Sequence, residues 1–266
     1  MSSVSALDDV LPDLLAESAE LDARVAGLAE WQWRLDTPAS GWDIAHQIAH
    51  LAWTDGLALL SIEDPAALRD RGRRLAVDGV AAVDQAAAAG AARSGSQLLA
   101  GWRAARSRLA ERLPAVPDGR KLEWFGPPMS AASMATARLM ETWAHGQDVA
   151  AALGQQVRPT ARLRHIARLA VRTRDFAFRL HDRAVPAEEF RVELAAPDGS
   201  CWTFGPPGAA QRVTGSAVDF CLLAAQRLHR ADARLTVSGS EAQGWLEIMQ
   251  VFAGPPGSGR PPAASR

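Results

Sequence analysis

The chain has 266 residues, of which 48% are hydrophobic and 22% charged, an ordinary composition for a protein that buries a core. Its 29 basic and 30 acidic residues give a formal net charge of -1. This balance argues against nucleic acid or an anionic membrane as the main partner, because proteins that bind either usually carry a marked basic excess. No stretch is apolar for long enough to span a bilayer.

The start of the chain and the cysteines predict a cytoplasmic location. The residues up to Leu11 include Asp8 and Asp9 but no basic residue, so they do not resemble a secretory signal. The two cysteines, Cys201 and Cys221, are far apart and form no C-x-x-C pair, which suits a reducing compartment.

Residues 1–155 are predicted to form an antiparallel four-helix bundle. Apolar residues recur with helical spacing, and Thr37-Pro38, Asp64-Pro65 and Gly154 interrupt the pattern. The predicted helices cover 7–31, 42 or 43 to 61, 75–113 and 130–153. The core between facing helices is where such bundles build metal sites.

After residue 155 the pattern becomes mixed. We expect a linking helix over 161–183, a hairpin with strands at 190–194 and 201–204, and a short strand at 212–214. A helix over 217–229, a strand at 235–237 and a helix over 241–252 complete a small α+β domain spanning 156–253. The tail, 254–266, is rich in Gly, Pro and Ser and is predicted to be disordered. The fold class is therefore mainly α with a smaller α+β part.

Two pairs of polar residues have the spacing of metal ligands. His46 and His50 lie four residues apart on the second predicted helix, and Glu141 and His145 lie four apart on the fourth. Residues at this spacing share a helix face, so two facing helices could close round one cation. Two nitrogens and one oxygen suit zinc, nickel or iron(II). A histidine on a helix is, however, more often a satisfied interior residue, and an E-x-x-x-H pair also occurs as a plain hydrogen-bonded pair.

Both motifs resemble a known family. The segment WDIAHQIAHLA at 42–52 is similar to the W-x-x-x-x-x-x-x-H-L pattern of the DinB/YfiT-like bundle superfamily. The segment ETWAHGQD at 141–148 is similar to the E-x-x-x-H-x-x-D segment of its mycothiol-dependent maleylpyruvate isomerase branch. The loop WFGPPM at 124–129 resembles an uncharacterised metal-binding subgroup of that branch.

The resemblance implies that His50, Glu141 and His145 are the metal ligands and that water completes the coordination shell. An open position is typical of a catalytic metal. His46 is then a donor behind the ligands, an alternative ligand or a plain helix-face residue. Asp148 either orients a ligating imidazole or pairs with an arginine.

The same resemblance implies an enzyme that uses a low-molecular-weight thiol such as mycothiol, with a small electrophile as the second substrate. A divalent cation, zinc first and nickel or iron as alternatives, would lower the pKa of the thiol. The reaction would be an S-transfer or an isomerisation. Arg227, with Arg230 as the alternative, resembles an arginine of that branch that approaches the metal across a domain interface. Oligomeric state stays open, with a homodimer as one option.

Two other interpretations remain at this point. The metal site could belong to a non-catalytic metal-binding or ligand-sensing module, or it could be a structural metal that only holds the bundle together. Phosphate-loop, dinucleotide-binding, serine-hydrolase and H-E-x-x-H motifs are absent from the sequence, which argues against those enzyme classes.

Overall fold

The computed structural model describes residues 5–255, 257 and 259–263, except for the side chains of 75–78 and 80. The chain divides into two compact units, Met1–Val157 and Arg158–Arg266. Within the described residues, no helix is both long enough and apolar enough to cross a membrane.

The first unit is helical. Its helices are α1 (Ala6–Val25), α2 (Ile44–Glu63), α3 (Pro65–Asp78), α4 (Val80–Ala91), α5 (Gly95–Arg112) and α6 (Ala131–Ala152). The four long helices α1, α2, α5 and α6 pack on one another as a bundle, and α3 and α4 connect α2 to α5. The fold class predicted from the sequence is confirmed here.

Side-chain caps set the beginnings of the bundle helices. Asp43, Ser94 and Ser130 each accept a hydrogen bond from the backbone amide three residues later, at the starts of α2, α5 and α6. Such caps satisfy amides that have no partner inside the helix. The apolar faces then bury a core that includes Ile48 and Trp102. The cap at Asp43 therefore fixes where the first turn of α2, which precedes His50, begins.

The second unit combines helices with one sheet. In chain order it contains α7 (Leu163–Arg172), α8 (Arg174–Leu180), β1 (Arg191–Ala195), β2 (Cys201–Phe204), β3 (Arg212–Ser216), α9 (Ala217–Ala224), β4 (Leu235–Ser238) and α10 (Ser240–Ile248). The strand order is β2-β1-β3-β4; β1 is antiparallel to β2 and parallel to β3, and β3 is antiparallel to β4.

The predicted hairpin is confirmed, with Val192 opposite Phe204 and Gly199 at a φ of 83° in the turn. The predicted short strands correspond to β3 and β4. Phe190 and Phe220 both pack edge-on against the ring of Trp245, with centroids 5.7 and 5.8 Å away. These edge-to-face contacts are a favourable aromatic arrangement and form the centre of this unit's core.

The domain limits predicted over 1–155 and 156–253 stay a prediction. The expected disordered tail, 254–266, falls partly on residues outside those the structure describes and also stays a prediction.

The single helical region predicted over 75–113 was wrong. Three helices cover this region, and the first of them begins at Pro65, where the sequence pattern indicated only a break. Proline suits the first position of a helix because its missing amide hydrogen has no acceptor there. Gly79, at a φ of 59°, separates α3 from α4, and the Ser94 cap starts α5. The alanine-rich stretch concealed these breaks, because alanine favours a helix wherever it occurs.

Other predicted helices are shorter than expected. The first ends at Val25, and the separate 3-10 turn Glu30–Arg34 then brings Trp33 into the core at 3% exposure. The helix predicted over 161–183 is interrupted at Thr173, which has a φ of -94° and a ψ of 9°. The helices predicted over 217–229 and 241–252 end early, at Ala224 and Ile248.

Candidate metal centre

Two helices of the bundle carry the predicted ligands. His50 lies on α2, and Glu141 and His145 lie one turn apart on α6. One potential ligand atom from each residue lies within 4.8 Å of the other two. His145 Nε2 is 3.2 Å from Glu141 Oε2, and His50 Nε2 is 3.7 Å from the same oxygen. The structure thus brings together the three residues singled out from the sequence; their role as ligands stays a prediction.

The cluster is largely shielded from solvent. Side-chain exposure is 13% for His50, 20% for Glu141 and 9% for His145. Burial alone would raise the pKa of the Glu141 carboxyl, but hydrogen bonds and charge from His145 and His50 hold that pKa well below its usual range. Glu141 is therefore an anion at neutral pH, the form in which a carboxylate binds a metal.

The donor atoms fit a divalent cation. Two imidazoles and one carboxylate form a common set for catalytic zinc and leave a fourth position open. On the other side of the His50 ring, Nδ1 is buried and has no hydrogen-bond partner among the described residues. Because Nε2 is the atom that faces Glu141, an ion in the cluster would not satisfy Nδ1, which calls for an ordered water instead.

The depressed pKa of Glu141 predicts how acid acts on the metal-free protein. A carboxyl with a lowered folded-state pKa stabilises the fold above its unfolded pKa, and this stabilisation is lost as pH falls through the folded value. We expect wild-type protein to lose more unfolding free energy than Glu141→Gln on acidification below about pH 4.3. Chemical denaturation of both proteins across this range, with a chelator present, measures the difference; parallel curves would contradict the prediction.

His46 lies one turn before His50 but belongs to the helix cap. Its Nδ1 is 2.6 Å from Asp43 Oδ1, and its backbone amide also donates to that oxygen. The geometric cluster contains His50, Glu141 and His145 and does not include His46. Asp148, three residues after His145, is buried at 1% exposure. The roles predicted for His46 and Asp148 behind the ligands stay predictions.

Two residues of the site were not assigned from the sequence. The ring of Trp42 lies against three histidine rings, with centroids 5.3 Å from His50, 6.1 Å from His145 and 6.2 Å from His46. Gln47 is fully buried, and its Oε1 contacts His145 Nδ1. The spacing of Gln47, three residues before His50, could have suggested a shared helix face.

A buried ion pair joins the same two helices beyond the cluster. Arg138 Nε donates to Asp55 Oδ1 at 2.8 Å, and Arg138 Nη2 donates to Thr54 Oγ1 at 2.7 Å. The Thr54 hydroxyl in turn donates to the carbonyl of His50 at 2.8 Å. At 2% exposure, Arg138 is enclosed by these contacts, so it serves to hold α6 against α2.

The family model described as the mycothiol maleylpyruvate isomerase N-terminal domain matches residues 14–150. The chain belongs to this family. A second family model, described as wyosine base formation, matches residues 186–236. The resemblance stated from the sequence motifs is thus confirmed.

Two relatives and two solved structures resemble this chain over most of its length. Two Mycobacterium tuberculosis proteins, uncharacterized protein MT0041 of strain CDC 1551 / Oshkosh and uncharacterized protein Rv0036c of strain ATCC 25618 / H37Rv, are each 57% identical over 249 residues. Each match covers 93% of this chain and 96% of the relative. The crystal structure of a mycothiol-dependent maleylpyruvate isomerase has a TM-score of 0.60 at 16% identity, and that of a histidine-to-alanine mutant has 0.59. Each match covers 90% of this chain and 96% of the solved one, so the fold is shared.

Proposed function

We propose that this protein is a metal-dependent enzyme that uses a low-molecular-weight thiol of the mycothiol type. The thiol serves either to isomerise a small electrophile or to be transferred onto it through its sulfur. The proposal rests on the convergence of His50, Glu141 and His145 within 4.8 Å on two facing helices. Membership of the mycothiol maleylpyruvate isomerase N-terminal domain family supports it. Zinc is the proposed ion, because two imidazoles and one carboxylate are a common ligand set for catalytic zinc. Nickel and iron are alternatives, because the same donor atoms also accept them.

The side chains of the cluster have distinct proposed tasks. His50 and His145 would hold the ion through ring nitrogens, and Glu141 through its carboxylate, whose depressed pKa keeps it charged. When bound, the cation would lower the pKa of a coordinated thiol so that the thiolate exists near neutral pH. The indole of Trp42, packed on both ligand histidines, keeps water from that side of the cluster.

The protein's own cysteines are poorly suited to act as the nucleophile. Cys221 is buried with its Sγ 3.5 Å from the carbonyl of Leu163, and burial raises the pKa of its thiol. Cys201 is exposed at β2, and both cysteines are unpaired. A small external thiol is therefore the better candidate, and unpaired cysteines suit the cytoplasmic location that forms part of this proposal.

Three further residues complete the proposal. Arg227 follows α9 and is fixed by a hydrogen bond from its Nη1 to the carbonyl of Ala225 at 2.8 Å. Its planar guanidinium suits a carboxylate on a substrate, so we propose it as a catalytic residue. His46 is proposed to donate a hydrogen bond next to the ligands without binding the ion itself, and Asp148 is proposed to orient a ligating imidazole.

The test combines metal analysis with a thiol assay. Wild-type protein loaded with zinc is expected to retain about one ion per chain after desalting, as a three-ligand site would. His50→Ala is expected to retain almost none, and His229→Ala, a histidine outside the cluster, should match wild type. Conversion of maleylpyruvate and conjugation of a model electrophile are then measured with and without mycothiol.

Distinct results would contradict different parts of this proposal. Equal zinc retention in wild type and His50→Ala would contradict the metal site. A second result would contradict the enzyme assignment and favour a non-catalytic metal-binding module. In that result the protein retains zinc but shows no thiol-dependent reaction, and the absorption spectrum of protein loaded with cobalt(II) in place of zinc does not change when thiol is added. Reaction with the electrophile but not with maleylpyruvate would assign S-transfer in place of isomerisation.

A further inference from the structure

The ring of His145 is held from behind by a residue of the opposite helix. Gln47 is on α2, is fully buried, and contacts His145 Nδ1 through its Oε1. On the other side of the ring, Nε2 faces Glu141 at 3.2 Å. The two ring nitrogens therefore have separate surroundings: Nδ1 meets an amide, and Nε2 meets the cluster.

A threonine determines which way the Gln47 amide points. Gln47 Nε2 is 2.8 Å from Thr37 Oγ1, and the Thr37 hydroxyl is 2.7 Å from the carbonyl of Trp42. That carbonyl can only accept, so the single hydroxyl hydrogen of Thr37 is donated to it. Thr37 Oγ1 is then an acceptor, both for the backbone amide of Ala39 at 3.3 Å and for Gln47.

The hydroxyl therefore accepts from the NH₂ group of Gln47, and the amide oxygen of Gln47 is the atom left to face His145. An amide oxygen only accepts, so Nδ1 of His145 must carry a hydrogen and donate it. The hydrogen bond made by one ring nitrogen decides the state of the other. In the metal-free protein Nε2 faces the Glu141 carboxylate at 3.2 Å, and it is the ring nitrogen that can direct a lone pair at a cation shared with Glu141.

We propose that Thr37 and Gln47 act as positioning residues that keep the hydrogen of His145 on Nδ1, which makes Nε2 the ligand atom. This inference rests on the proposed metal site, since it assigns a task to residues behind one of its ligands. Partners of this kind orient ligating histidines, and their loss typically weakens metal binding by about 10–100-fold.

The first measurement needs no metal. In metal-free protein labelled with ¹⁵N-histidine, the nitrogen spectrum reports whether Nδ1 of His145 is protonated, and His145→Gln identifies its signals by their absence. Wild type is expected to show a protonated Nδ1. Gln47→Met, which has a similar length but no acceptor oxygen, is expected to show a Nδ1 that is largely unprotonated, because nothing then favours the hydrogen at that position.

The second measurement is zinc affinity by competition with a chelator. Gln47→Met is expected to bind about 10–100-fold more weakly than wild type, and Gln47→Glu, which keeps an acceptor, should recover most of the affinity. Thr37→Val should lose less zinc affinity than Gln47→Met does, and Thr37→Ser should lose almost none. Ser61→Ala, which removes a buried hydroxyl bonded within α2, is the matched control and should bind as wild type does.

An unprotonated Nδ1 in wild type would overturn the inference, and so would wild-type zinc affinity in both Gln47→Met and Thr37→Val. Should Gln47→Met fail to fold, the Thr37→Val and Thr37→Ser pair still decides it. Failure of wild type to bind zinc would contradict the proposed function; the nitrogen spectra of the metal-free proteins would then decide the protonation of His145 by themselves.

Discussion

Arg138→Met is expected to lower the free energy of unfolding by about 3–5 kcal/mol, because it leaves a buried carboxylate without its partner. Asp55 and Arg138 have side-chain exposures of 6% and 2% and are 2.8 Å apart. Burial raises the pKa of Asp55 even though the Arg138 guanidinium opposes this. Without the guanidinium, the carboxyl must either stay charged in the core or take up a proton.

Chemical denaturation of wild type and variant measures this effect. Arg73→Met is the matched control, since Arg73 pairs with Asp70 on the surface of α3, where an ion pair contributes about 0–1 kcal/mol. The double variant Arg138→Met/Asp55→Leu should recover much of the loss, because no charge is then buried alone. If Arg138→Met lowers the free energy of unfolding no more than Arg73→Met does, the role assigned to the Arg138–Asp55 ion pair is contradicted.

Zinc at about a thousand times its dissociation constant is expected to raise the free energy of unfolding by about 4 kcal/mol, because the ion binds the folded chain alone. The same zinc concentration should raise the stability of Glu141→Gln by less than about 1 kcal/mol, since the amide lacks the anionic oxygen. Without metal, Glu141→Gln should already be the less stable protein at neutral pH, because it lacks the stabilisation that the lowered pKa of Glu141 represents. The comparison therefore uses the zinc-dependent gain of each protein over its own metal-free form.

Thermal or chemical unfolding, with zinc and with a chelator, gives these differences. Glu63→Gln serves as control, because Glu63 ends α2 and pairs with Arg108 and Arg112 outside the cluster. Its zinc-dependent gain should equal that of wild type. An equal gain in Glu141→Gln would place the stabilising ion elsewhere in the protein.

Local patterns predicted the features that depend on nearby residues. The spacing of Glu141 and His145 places both on one face of α6 whatever the rest of the chain does. The cap at Ser130 and the turn at Gly199 likewise follow from chemistry within a few residues. The approach of His50 to the other two required the family resemblance, because periodicity alone does not say which helices face each other.

Contacts between distant residues were not predictable in this way. Gln47 and His145 are 98 residues apart, and Asp55 and Arg138 are 83 apart. Their partners depend on the rotation and offset of α2 against α6, which hydrophobic spacing leaves undetermined. The break at Gly79 was missed for the opposite reason: strong local helix propensity on both sides hid a turn required by the packing.

The division of the proposed ligands between α2 and α6 has a consequence for how the protein is made. During synthesis from the N-terminus, the segment that holds His50 emerges long before the segment that holds Glu141 and His145. A growing chain thus offers only one of the three proposed ligands until α6 has been translated and has docked. Binding of an ion at the proposed three-ligand site would therefore be a late event that requires a finished bundle.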